Sequence, residues 1–272
     1  MTSKEDSKNN ILSLGLFVGT GECNAKCKHC AGIIHRKYAP KNDGVINEKL
    51  FYNTLKSCYE QGSRSLSITS GGEPTLSPLS VTLTLELVQK LELEGMKYDW
   101  VNLYSNGIKI GEEEKFSEKY LPLWQGLGLK TVYITVHNLD LEKNAEIYNV
   151  GNYPSLDLIV SRIHSSGLLA RANVVLSKNN IGTFNEYVGI VSELRNIGFD
   201  HVSAWSIRND NDVVDDELSP SEYELNKMDV WAAEQNNSNN RIRLLRKSND
   251  QKYQTGQKVT LFPDRTLSSS WC

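Results

Sequence analysis

A chain of 272 residues, 39% hydrophobic and 23% charged, can bury a full core as one α/β domain or as two smaller ones. Its 30 Lys and Arg against 33 Asp and Glu leave a formal charge of −3, which excludes a global attraction to nucleic acid or to an anionic membrane surface. No apolar run approaches the length of a bilayer span, and the polar start MTSKEDSKNN (1–10) reads as a short disordered lead, not a signal peptide.

Short β-rich runs alternate with helical patterns along the rest of the chain. ILSLGLFVG (11–19) reads as a buried strand, and 46–62 as an amphipathic helix closed by Gly62. A strand at 65–70 precedes a helix at 79–95, and a strand at 100–105 precedes a helix running to about Leu127. A fourth strand at 131–136, a helix around 154–166, a fifth strand at 168–176 and a helix at 184–197 follow. HVSAWSI (201–207) is a sixth strand, and Ser221 with Glu224 reads as a capping box that opens a helix to about Glu234. Beyond it the pattern degrades. EQNNSNN (234–240) is loop-like, RIRLLRK (241–247) could touch a phosphate but reads first as a surface charge run, and KVTLFPD (258–264) reads as a last strand and turn.

Six strand–helix units in succession predict a parallel sheet with right-handed crossovers. Units of this size predict a partial, TIM-like (β/α)6 barrel over 11–234, with a short irregular C-terminal extension over 235–272. Functional residues of such a fold belong at the C-terminal strand ends. The polar clusters fall there. A cysteine loop follows the first strand, SGGEP the second, SNG the third and VHNLD the fourth. Arg171 and Asn173 lie within the fifth, and the sixth ends in SIR.

The chain has five cysteines, three of them in GTGECNAKCKHCAG (19–32). An odd count without an export signal points to a reducing, cytoplasmic compartment and to metal binding over disulfides. The spacing is Cys23-x3-Cys27-x2-Cys30. A structural zinc site closes with four ligands, and His29 or His35 could supply the fourth, although His29 sits awkwardly between two of the thiols. An iron–sulfur cluster also normally takes four protein ligands. Three thiolates would leave one iron with an open position, where a small molecule can bind and be acted on.

In SITSGGEPTLSP (67–78), Gly71 and Gly72 allow close backbone approach, Glu73 can accept hydrogen bonds from an ammonium, and Pro74 fixes the turn. The C-x3-C-x2-C loop and this GGEP turn, with SNG behind them, resemble the radical S-adenosylmethionine (radical SAM) superfamily over roughly 11–208. The resemblance implies a [4Fe–4S] cluster on Cys23, Cys27 and Cys30 whose open iron binds the amino and carboxylate groups of S-adenosylmethionine. One-electron reduction would then yield methionine and a 5′-deoxyadenosyl radical that abstracts hydrogen from a substrate.

The same resemblance assigns the remaining residues. Gly71, Gly72, Glu73 and Pro74 would hold the methionine amino group, and Ser105 and Asn106 the ribose or methionine part. Thr135 keeps the hydroxyl that the family often places near the cofactor. His29 stands where the family usually has an aromatic residue near the adenine. Arg171 is the candidate for the cofactor carboxylate, with an internal ion pair to Glu73 or an Asp as the structural alternative. Asn173 shares its face by the period of two. Ile207 could pack on the adenine, and His137 is a candidate substrate contact or proton-handling group. Cys272 could return hydrogen to a substrate radical or be the first ligand of an auxiliary-cluster extension of the SPASM or twitch type. Cys58 reads as a core residue, and NDNDVVDDE (209–217) as a solvated acidic loop.

An external electron donor of the flavodoxin or ferredoxin type is implied as a partner. A peptide substrate leads, as for a maturase, because nucleotide-reading features are weak. A sugar or nucleoside small molecule comes next, then glycyl-radical-enzyme activation. The rival from another class is a non-catalytic zinc-binding module. No nucleic-acid or membrane partner is expected.

Overall fold

A computed structural model of the chain describes residues 11–30, 43–209, 214–236, 241–245, 258–262 and 265–268. The expected lead over 1–10, His35, residues 210–213 of the acidic loop and Cys272 lie outside them.

The chain alternates strand and helix. β1 (Ser13–Phe17) is followed by α1 (Glu48–Glu60), β2 (Ser65–Thr69), α2 (Pro78–Leu93) and β3 (Trp100–Ser105). Next come α3 (Ile108–Glu112), α4 (Glu114–Gly126), β4 (Thr131–Val136), α5 (Leu141–Tyr148) and α6 (Leu156–Ser165). β5 (Leu169–Leu176), α7 (Phe184–Ile197), β6 (His201–Ser206) and α8 (Glu222–Gln235) complete the expected units. β7 (Arg241–Leu245), β8 (Lys258–Leu261) and β9 (Leu267–Ser268) follow.

The sheet order is β7-β6-β5-β4-β3-β2-β1-β8-β9. Every pairing from β7 to β8 is parallel, and only β8 with β9 is antiparallel. This is the expected open, partial-barrel architecture.

The segments beyond residue 234 depart from the sequence reading. RIRLL is strand β7, in register with β6 from His201↔Arg241. Its Ile242 and Leu244 are buried while Arg241 and Arg243 are exposed, a period of two that a strand satisfies. KVTL is a strand as expected, but it joins β1 in parallel at the opposite side of the sheet.

Three local differences have simple causes. The single helix expected after β3 is broken by Glu113, whose extended backbone (φ −103°, ψ 91°) ends α3 before α4 begins. No expectation covered α5, which starts where Asp140 accepts hydrogen bonds from the backbone of Glu142 and Lys143. The Ser221–Glu224 capping box is only half made. Ser221 caps the backbone N–H of Glu224, but the Glu224 carboxylate accepts from Phe184 N–H instead. The complete box is Thr183 with Glu186, opening α7.

The two faces of the sheet differ in chemistry. Along β4 and β5, Val132, Ile134, Val136, Ala170, Ala172, Val174 and Leu176 are fully buried. They lie on the face that α6 and α7 cover. The alternate positions, Tyr133, Thr135, Arg171, Asn173, Ser203 and Trp205, lie on the other face. That face is concave. In a flat sheet four strand spacings would separate β3 from β7 by about 19 Å. Yet the Arg241 guanidinium sits 5.4 Å from the centre of the Trp100 ring, so the sheet curls to bring them together. No helix among the described residues is long and apolar enough to cross a membrane.

Candidate active site

The cysteine loop leaves the carboxyl end of β1 and is anchored on three sides. Glu73 N–H donates to the Glu22 carbonyl at 2.8 Å, and Lys26 N–H donates to the Tyr148 carbonyl at 2.9 Å. Asn106 Nδ2 donates to Asn24 Oδ1 at 2.7 Å and lies 3.8 Å from the Cys23 sulfur. Cys23, Cys27 and Cys30 are half-buried, and Cys23 and Cys27 pack against the core. His29 is exposed between them.

The first contact explains the paired glycines. A Cβ on Gly72 would stand 2.0 Å from the Glu22 carbonyl oxygen and 2.3 Å from that of Gly21. The GGE turn therefore touches the cysteine loop backbone to backbone, and no side chain fits between them. Gly71 and Pro74 are buried beside it.

Glu73 is 2% exposed. Its Oε1 accepts from Thr75 N–H at 3.0 Å, Thr75 Oγ1 at 2.7 Å and Ser105 Oγ at 2.9 Å. Its Oε2 accepts from Asn106 N–H at 2.7 Å. Burial pushes its pKa up, and the bonds from Asn106, Thr75 and Ser105 pull it back down. No Lys, Arg or His forms an ion pair with it among the described residues. A buried carboxylate held only by neutral donors calls for a cation.

Behind these groups two tyrosines brace the rim. Tyr148 and Tyr153 stack at 4.9 Å and 6°. Tyr148 OH donates to the Thr135 carbonyl at 2.7 Å, and Tyr153 OH donates to the Asn106 carbonyl at 2.8 Å. Nothing local in the sequence marks these rings as part of the site. Their role arises from α5 and the loop after it folding back over the cysteine loop. Replacing Tyr153 with Phe removes the bond to Asn106 and is expected to cost about 1 kcal/mol, read from urea denaturation.

The remaining sequence candidates fall into two groups. Ser105, Asn106, Thr135 and Asn173 lie at or near the strand ends, with Thr135 in register with Asn173. Ile207 is buried just past β6, its N–H on the Leu176 carbonyl at 2.9 Å. His137 is buried against Tyr148 at 4.8 Å between ring centres. Burial, with His29 nearby, holds its pKa down at about 4, so the ring is neutral at pH 7. Cys58 is buried in the core as expected, and burial pushes its thiol up to about 11.

The internal ion pair expected as the structural alternative for Arg171 does not form. No carboxylate pairs with the Arg171 guanidinium among the described residues. Its Nε donates to Ser203 Oγ at 2.6 Å and one Nη donates to Tyr133 OH at 2.8 Å. It lies in register with Tyr133 and His201, two residues before Asn173 and so deeper in the barrel. The ion pair with Glu73 does not form because Thr75, Ser105 and Asn106 already enclose that carboxylate.

The residues fit the groups that the sequence resemblance implies. Three thiols rise from one loop, and a buried carboxylate without a cation among the described residues stands behind that loop. Among the described residues no three Cys, His, Asp or Glu are placed to share a single metal ion. A four-iron cluster spreads its thiolate ligands over separate irons and makes no such demand.

These features define a class: a parallel half-barrel with a thiol-bearing loop on its carboxyl-end rim. No protein-family model matches the chain. The probable GTP 3′,8-cyclase of Methanococcus maripaludis is 27% identical over 180 residues, which covers 66% of this chain and 54% of that protein. The chain thus spans about half the length of this curated relative. Among solved structures, Streptococcus suis SuiB bound to S-adenosylmethionine superposes with a TM-score of 0.65 at 15% identity. The match covers 97% of this chain and 60% of SuiB. A radical SAM methyltransferase from Sphaerobacter thermophilus gives a TM-score of 0.56 at 11% identity, over 87% of this chain and 66% of that one. The fold is the radical SAM partial barrel, and the resemblance seen in the sequence is borne out at the level of the fold.

Proposed function

We propose that the chain is the catalytic core of a radical SAM enzyme. Cys23, Cys27 and Cys30 hold a [4Fe–4S] cluster, and Glu73 receives the ammonium of S-adenosylmethionine. The observation that carries this reading is the closure of the cysteine loop on the GGE turn, with the Glu73 carboxylate buried behind it and no paired cation among the described residues. When bound and reduced, the cluster would supply reductive cleavage of S-adenosylmethionine to methionine and a 5′-deoxyadenosyl radical that takes hydrogen from a substrate.

The chain's own residues position and shield. Ser105 and Thr75 keep the Glu73 carboxylate oriented. Asn106 ties the end of β3 to the cysteine loop through Asn24. Tyr148 and Tyr153 exclude water beneath that loop. Thr135 and Asn173 present polar groups to the ribose or methionine portion, Ile207 an apolar one to the adenine, and His29 a flat ring at the rim. His137, neutral and enclosed, serves as packing and not as a proton carrier at pH 7. An electron donor of the flavodoxin or ferredoxin type would reduce the cluster from outside.

For the substrate, a peptide is the leading reading from the sequence. The relative's name, a GTP cyclase, supports the second reading, a nucleoside or sugar small molecule. Anaerobic reconstitution tests the metal centre. The expected product is brown, with about four irons per chain and a matching sulfide content. A colourless chain holding one zinc would support the zinc-module rival instead.

A further inference from the structure

The inward face of the barrel is polarised in charge. The inward positions of β1 to β8, read by alternation and register, contain Arg171, Arg241, Arg243 and Lys258 but no Asp or Glu. The whole chain carries a net charge of −3, so this is segregation and not general basicity. Asp200, beside β6, is engaged toward α6, although its charge still reaches His201. Its carboxylate accepts from Ala170 N–H at 2.8 Å and meets His164 at 2.9 Å, a residue of α6.

The cations converge on β6. Arg171 binds Ser203 from one side, and Arg241 and Arg243 stand in register with His201 and Ser203 on the other. Two inward ring nitrogens of the same strand, His201 Nδ1 and Trp205 Nε1, are shielded from solvent yet have no hydrogen-bond partner among the described residues. A buried polar atom without a partner is uncommon and asks for an explanation. Arg171 uses two of its five N–H groups on Tyr133 and Ser203. Burial and then the Arg171 charge hold the His201 pKa down, against the Asp200 charge and a bond with the Asp200 backbone, so its ring is neutral.

We propose that the inward face of β5, β6 and β7 binds an anionic group of the substrate, a phosphate or a carboxylate. Arg171 and Arg243 supply charge-assisted bonds, and His201 and Trp205 supply neutral ones. Guanidinium groups suit both anions because their paired N–H groups match two oxygens at once. The Trp100–Arg241 contact lies at the deep end, and the rest of the substrate points toward the cysteine rim. As a substrate site this rests on the radical-enzyme reading; as an anion site it stands on the charges alone.

The test is calorimetric titration of the reconstituted full chain with inorganic phosphate and, separately, with succinate. One or both should bind with 1:1 stoichiometry. Arg243→Gln and Arg171→Gln should each weaken binding at least tenfold, and Arg243→Lys should recover part of the loss. Circular dichroism establishes that each variant is folded. Binding of phosphate alone identifies a phosphoryl group, and binding of succinate alone a carboxylate. Absence of binding by both probes overturns the proposal, as does affinity within twofold of wild type in folded Gln variants. A chain that binds phosphate but does not cleave S-adenosylmethionine removes only the enzyme reading. One that cleaves it and binds neither probe removes only the anion site.

Discussion

Alanine in place of Gly72 is expected to strip the chain of the proposed cluster. The added Cβ would lie 2.0 Å from the Glu22 carbonyl oxygen, well inside van der Waals contact. Its neighbours there are backbone atoms of Gly21 and Glu22, which cannot swing aside as a flexible side chain can. The loop bearing Cys23 must lift away from the turn, and the 2.8 Å bond from Glu73 N–H to Glu22 must break. Overpacking typically costs about 1–3 kcal/mol, and the lost hydrogen bond adds about 1 kcal/mol. The fold, anchored by its core, should survive with a lowered midpoint in urea. Iron content after reconstitution should fall to a small fraction of the wild-type value. Retention of full iron by Gly72→Ala would mean that the turn and the loop are not coupled as described.

The second large effect is expected at Glu73. Glutamine there keeps the shape but puts an NH2 where the carboxylate accepted bonds from Thr75, Ser105 and Asn106. One donor then faces another, at about 1–3 kcal/mol for the unsatisfied groups. The negative charge that would meet an ammonium is also gone. Affinity for S-adenosylmethionine should drop by about 10- to 100-fold, the loss of one charge-assisted bond.

The pH dependence of the wild type follows from the same carboxyl. Burial raises its folded pKa above the unfolded value. Its contribution to stability is therefore fully present below the unfolded pKa and is lost as pH rises through the folded one. Cofactor affinity should move the other way, rising as the group ionises. In Glu73→Gln both dependences should flatten through that window, as read from thermal unfolding and cofactor titration at a series of pH values.

Much of the molecule was legible in the sequence because its signals are local. β3, β4 and α7 begin and end where alternation, helical periodicity and the closing Gly198 place them. The three thiols and the GGE turn were readable because their spacing is fixed within a few residues. Asn24, Tyr148 and Tyr153 were not. Asn24 looks like any loop asparagine until Asn106, 82 residues on, donates to it. The tyrosines sit in an uncharted helix and the loop after it, and acquire meaning only through bonds to Thr135 and Asn106. Arg171 lies at an inward strand position, but its partners lie on β4 and β6, which residue spacing within β5 cannot reveal. RIRLL read as a surface charge run because its two arginines dominate five residues. The apolar Ile242 and Leu244 between them mark the strand, and the same arginines then line the barrel.

The central claim is that three thiols and one buried carboxylate together present S-adenosylmethionine to a reducible cluster. The most direct measurement is 5′-deoxyadenosine and methionine released from S-adenosylmethionine by the anaerobically reconstituted chain after addition of dithionite. Equimolar products are expected from the wild type and none from Cys27→Ala. The claim would be contradicted by a wild-type chain that carries its irons and releases neither product, or by a Cys27→Ala variant that cleaves as well as the wild type.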